Sequence, residues 1–221
     1  MNFDTDGKKY RITQGQGFMV EVNINGRFFP SFGVTRKGIF FCDLMVDSNG
    51  EGSYKRQTQT RWVTTKLIQY VIEHNPDVEG LKALLNQLEI VNAPNASTHQ
   101  LFCYPDGNIC VVEPGRKNLF STPKDSNLFV MTNFPLSDYE EILPRNLTGS
   151  GADRYQTIIV KSSLLKEEMT IEEAFRWLKS VKQDGPDWTT QLSLVYDATN
   201  HVLYYCQDRD FEHVIQIAIA C

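Results

Sequence analysis

The chain has 221 residues, 41% hydrophobic and 22% charged, with 27 acidic against 22 basic side chains and a net charge of −5. A chain of this length can bury about 70% of its unfolded surface, so a sizeable core needs no covalent staples. The acidic balance without a basic block excludes a phosphate-tracking nucleic-acid surface, and no apolar run approaches the roughly 18 residues of a membrane-spanning helix.

Residues 18–24 alternate as a strand, Asn25-Gly26 is a hairpin turn, and residues 27–34 return. Residues 37–46, KGIFFCDLMV, form a third strand, and the polar stretch 50–59 reads as a mobile loop over a cleft. The period then changes. Across residues 61–74, Val63, Leu67, Tyr70 and Val71 share one helical face. Asn75-Pro76-Asp77 ends that helix and opens another, with Leu81, Leu84, Leu85 and Leu88 as its buried stripe.

Residues 100–104 and 108–113 form a hairpin about Asp106-Gly107, and residues 127–132 a further short strand. Two capping boxes follow, Ser137 with Glu140 and Thr170 with Glu173, and residues 154–165 are also helical. The tail is a second β block over residues 191–196, 201–206 and 214–220. Hairpin links imply antiparallel sheets, and the helical pairs between them imply a layered α+β fold in one domain, 1–221.

Five cysteines (Cys42, Cys103, Cys110, Cys206, Cys221) form no CxxC pair. That excludes a disulfide framework or zinc site and favours a reducing, cytoplasmic setting, as does an N-terminus without a signal-peptide core. Cys42 reads as a buried, inert thiol, and Cys103 and Cys110 stand in the two arms of one hairpin. Asp4 and Asp6 read on their own as solvated carboxylates. His99 reads as a hydrogen-bonded structural histidine. Asn133 fits either a turn or an oxyanion donor, and Arg154 either a surface residue or a carboxylate clamp.

Several segments in fixed order resemble the linear-amide C–N hydrolases, the family of choloylglycine hydrolase and penicillin V acylase. Residues 1–4, MNFD, are similar to the end of that family's G-R-N-x-D motif. Residues 37–45 resemble its N-E-K-G-L strand, and 98–113 its central hairpin. Residues 130–135, VMTNFP, resemble its V-L-T-N-x-P segment, and 153–155, DRY, its S-x-R-F/Y helix. Residues 188–205 resemble its closing strands.

The resemblance implies an N-terminal-nucleophile hydrolase fold, a four-layer αββα sandwich, and attack on an amide carbonyl by an N-terminal cysteine whose own α-amino group acts as base. It implies that Asp4 orients that amine, that Asn133 and the Met45 backbone N–H hold the oxyanion, and that Arg154 completes the charge network. It further implies a small-molecule amide substrate, no metal or cofactor, and possible homo-oligomers. On this alignment the nucleophile and its hairpin precede Met1, so the domain is N-terminally incomplete, with one sheet short of central strands. Met1 stands where the motif has arginine, and Met45 where the family has a polar side chain. Inactive binding proteins and acyltransferases of the isopenicillin N type are the alternatives on the same fold. Residues 47–59 and 114–126 are expected to line the cleft.

Overall fold

The computed structural model describes residues 1–5, 9–165 and 167–219. Asp6, Ala220 and Cys221, which entered the reading above, lie outside the described residues. The chain begins with five strands: β1 (Asn2–Thr5), β2 (Tyr10–Gln14), β3 (Gly17–Ile24), β4 (Arg27–Thr35) and β5 (Phe40–Met45). A short strand β6 (Arg61–Val63), helices α1 (Thr64–His74) and α2 (Val78–Leu85), and strand β7 (Glu89–Val91) follow. Next come β8 (Thr98–Cys103), β9 (Ile109–Val112) and β10 (Leu119–Ser121), then α3 (Ala152–Leu164) and α4 (Ile171–Ser180). The chain closes with β11 (Thr189–Asp197), β12 (Val202–Gln207) and β13 (Ile215–Ala218).

Seven strands form one antiparallel sheet in the order β10-β9-β8-β5-β4-β3-β2. Four form a second, in the order β1-β11-β12-β13, also antiparallel. Alternation sends side chains of each strand to opposite faces. On β3 and β4, Phe18, Val20, Phe32 and Val34 meet Phe3, Leu192, Leu194 and Leu203 of the smaller sheet. The other face of the larger sheet offers Met19, Phe41, Phe102 and Val112 to Leu67, Ile68, Val71 and Leu81 of α1 and α2. Helix α4 lies against β11, and the Asn2 amide donates to Leu178 O at its end, 2.9 Å away. The layers therefore run helices, large sheet, small sheet, helices: an α+β sandwich of αββα type.

Several local expectations change for identifiable reasons. Gly38 lies at φ +79°, and a Cβ there would meet Tyr196 Oη at 2.8 Å; that turn starts β5 at Phe40 rather than at 37. Residues 61–63 join a parallel pair with β7 before α1 begins. Residues 127–132 run without a ladder, held by side chains instead of strand partners. Ser137 does not cap a helix: its hydroxyl donates to Glu113, and only a 3₁₀ turn follows. Thr170 caps α4 as expected, accepting from Glu173 N–H at 3.1 Å. The loop after β5 is anchored, with Asn49 Nδ2 on Gly115 O at 2.6 Å and the Asn92 amide on Gly52 O at 3.0 Å. Cys103 and Cys110 stand one register apart and so on opposite faces of the hairpin, which rules out their pairing.

Phe32 is fully buried in the inter-sheet layer, with its ring centroid 4.8 Å from that of Phe3. Phe32→Ala is expected to lower unfolding free energy by about 3–5 kcal/mol in a urea titration. A change below about 1 kcal/mol would contradict this packing.

Candidate active site

Asp4 reaches the site through a bulge. Phe3 pairs with Leu192 but Asp4 with Thr190, so Gln191 is an extra residue and the end of β1 is re-aimed. Asp4 accepts from the Thr190 hydroxyl and from Gln183 Nε2 at 2.7 Å, and Arg154 Nη1 stands 3.8 Å from its Oδ2. Arg154, on the first turn of α3, also donates from Nη2 to Asn133 Oδ1 at 2.7 Å. Asn133 Nδ2 in turn donates to Met45 O at 2.8 Å. The four residues singled out from the sequence (Asp4, Met45, Asn133 and Arg154) are thus one connected chain of contacts.

The Met45 backbone is free to take part because of its register. Val46 N–H bonds Ser97 O at 3.0 Å, which makes Met45 and Thr98 a non-hydrogen-bonded pair. The Met45 N–H and C=O therefore turn away from β8, towards the side where the β4 ladder has already ended at Phe32 and Cys42. Gly151 permits the close approach of α3 to Asn133. It sits at φ +79°, and a Cβ there would fall 2.8 Å from Asn133 N and 3.0 Å from Arg154 Nη2. Its carbonyl accepts from Thr132 Oγ1 at 3.0 Å.

His99 lies behind this chain, fully buried. Its Nδ1 is 2.9 Å from Glu113 Oε1 and its Nε2 2.8 Å from Thr132 O. Glu113 was not foreseen as part of the site, although the register was available. Pairing Cys103 with Ile109 about the Asp106-Gly107 turn carries outward to His99 opposite Glu113. Thr190 and Gln183 carried no such signal, because each reaches Asp4 across most of the chain.

A cavity of about 890 Å³ opens beside these groups, walled by apolar side chains including Val22, Phe40, Leu44, Leu101 and Met131. It passes the unpaired flank of β1 and continues to Trp177 and Leu178 of α4. Residues 93, 95–98 and 128–133 line it rather than the expected 114–126, and of the loop 47–59 Asp47 alone is in the lining. Cys42 and Cys103 also line it. Burial pushes the Cys42 thiol pKa far up and that of Cys103 up to about 12, so both stay protonated and inert. Among the described residues no cluster of His, Cys, Asp and Glu could hold a metal ion, and no helix is long and apolar enough to cross a membrane.

No protein-family model and no curated protein matches the sequence. Solved structures do match. A variant of conjugated bile acid hydrolase from Clostridium perfringens superposes with a TM-score of 0.72 at 16% identity, covering 99% of this chain and 82% of that one. A second mutant of that hydrolase gives 0.69 at 16% identity, covering 100% and 84%. Penicillin V acylase from Agrobacterium tumefaciens gives 0.57 at 16% identity, covering 93% and 73%. The chain has the N-terminal-nucleophile hydrolase fold. These neighbours are linear-amide C–N hydrolases, and at such identity the likeness establishes architecture alone.

Asp43 has an unusual setting on β5. Burial raises its pKa from 3.8 to about 6, against the opposing effects of hydrogen bonds from Gln100 and Thr98 and of the nearby His99. A carboxyl with a raised folded-state pKa contributes stability that is complete below the unfolded value and is lost as pH rises towards 6. Asp43→Asn removes that loss. Thermal melts are expected to show no gain for this variant at pH 3 and a gain on the order of 1–3 kcal/mol above pH 7.

Proposed function

We propose that this protein hydrolyses the amide bond of an N-acyl small molecule, such as a bile-salt conjugate, a penicillin or an N-acyl amino acid. The reading rests on one observation: Asp4, Arg154, Asn133 and the Met45 backbone are joined at the edge of a large apolar cavity. The cavity suits an apolar acyl group, and the polar chain at its edge suits the scissile amide. In this reading the attacking group is a cysteine thiol on a segment preceding Met1, since Cys42 and Cys103 are held protonated. The unpaired flank of β1 offers that segment a place in the small sheet.

The chemistry then follows from placement. The thiol adds to the carbonyl carbon while the cysteine α-amino group takes its proton. Asp4 orients that amine, and Arg154 fixes Asp4 and Asn133 together. Negative charge developing on the carbonyl oxygen meets the second Nδ2 proton of Asn133 and the Met45 N–H. Collapse breaks the C–N bond, the amine leaves with the transferred proton, and water cleaves the thioester. No metal or cofactor is needed. A second reading, a protein that binds an acyl amide without cleaving it, is favoured by the bare Met45 side chain where related sites carry a polar group.

The coding sequence upstream of the Met1 codon is expected to continue in frame to a Met-Cys start, with Gly-Arg just ahead of Asn2; a stop codon there refutes the hydrolase. In the longer protein, replacing that cysteine with serine should abolish turnover, and Asn133→Ala should lower kcat about 10²–10³-fold in amide-hydrolysis assays. Tight binding of an acyl amide without any turnover would establish the second reading.

A further inference from the structure

Among the described residues the segment carrying Asn133 has no strand partners, yet it is held on both sides. His99 Nε2 meets Thr132 O at 2.8 Å, just before Asn133. Glu113 takes the Leu136 N–H on Oε1 at 2.7 Å, and the Ser137 N–H and hydroxyl on Oε2 at 2.9 and 2.6 Å, just after it. His99 and Glu113 face each other at 2.9 Å across the β8–β9 hairpin, with side chains 0% and 1% exposed. One buried pair therefore grips the chain at 132 and again at 136–137.

The protons follow from the partners. A carbonyl oxygen can only accept, so Nε2 carries a proton. Glu113 already receives three donors. Burial works against its charge, but the bonds from His99, from the Ser137 side chain and from the Ser137 and Leu136 N–H groups hold its pKa below the usual range. An ionised carboxylate at 2.9 Å from Nδ1 requires a proton there as well. Asp43 on β5 also lies near His99.

We propose that His99 is a doubly protonated positioning residue: clamped by Glu113, it holds the Thr132 carbonyl and so aims the Asn133 amide at Met45 O and the cavity. Only the kinetic consequence rests on the hydrolase reading. A merely space-filling histidine would need neither both protons nor a particular nitrogen on Thr132. The two possible amide replacements separate these roles. Glutamine reaches the Nε2 position and keeps a donor on Thr132 O, whereas asparagine reaches only the Nδ1 position.

Nitrogen-15 labelling of histidine in the 221-residue chain tests the protonation directly. Both His99 ring nitrogens should read as protonated in the folded chain, with two slowly exchanging ring N–H signals; a neutral tautomer overturns the proposal. The Asn133 side-chain amide resonance should stay in place in His99→Gln and move in His99→Asn; an unmoved signal in His99→Asn overturns it equally. If His99→Asn does not fold, the wild-type ring signals and His99→Gln still decide. In an active longer protein, His99→Asn should lower kcat about 10–100-fold with KM within about twofold, and His99→Gln should restore most of it. Absence of turnover on every amide would defeat the hydrolase reading and leave the ring-proton result to judge His99 alone.

Discussion

Phe3, Phe18, Phe32, Leu192 and Leu203 fill the space between the two sheets, and the position of β1 follows from that packing. Among the described residues strand β1 has a ladder partner on one side only, so the burial of Phe3 fixes its height above the larger sheet. The bulge opposite Gln191 then decides which way Asp4 turns. A close-packed layer transmits such constraints because it cannot yield by a methylene without losing contacts. The Asp4 end of the polar chain is correspondingly fixed from below, while its Asn133 end is held through Thr132 and residues 136–137.

Two kinds of polar burial coexist around this layer. His99 and Glu113 are paired and saturated with hydrogen bonds, the condition under which buried charge is tolerated. Cys42, buried with only a backbone hydrogen bond at Leu101, and the half-buried Cys103 stay neutral. Asp43 lies between, with partners enough to remain soluble in the interior but too few to keep an ordinary carboxyl pKa. The gradation separates groups that hold the fold from groups that can only fill it.

Much of the architecture was legible because it depends on local period and turn chemistry. The β3–β4 hairpin announces itself through Asn25-Gly26, and α1 and α2 through their leucine and valine stripes. Strands β1, β2 and β10 were missed: they are short or polar, and pairing rather than pattern makes them strands. Residues 127–132 show the converse, an apolar stretch that finds no ladder. At the site, Asp4, Met45, Asn133 and Arg154 were nominated by motif resemblance, and the geometry brings them into contact. Glu113 was recoverable from hairpin register, while Gln183 and Thr190 belong to contacts that only folding creates.

The bond from Asn133 Nδ2 to Met45 O has a thermodynamic meaning of its own. An amide nitrogen carries two protons, and the Met45 carbonyl takes only one of them. That bond fixes the plane of the amide and with it the direction of the second proton. A neutral guest oxygen meeting that proton replaces a bond to water and gains little, whereas an oxygen bearing negative charge forms a bond roughly twice as strong. The resting contact thus works as a hinge pin, and the proton it leaves over discriminates anions from uncharged carbonyls by bond strength rather than by shape.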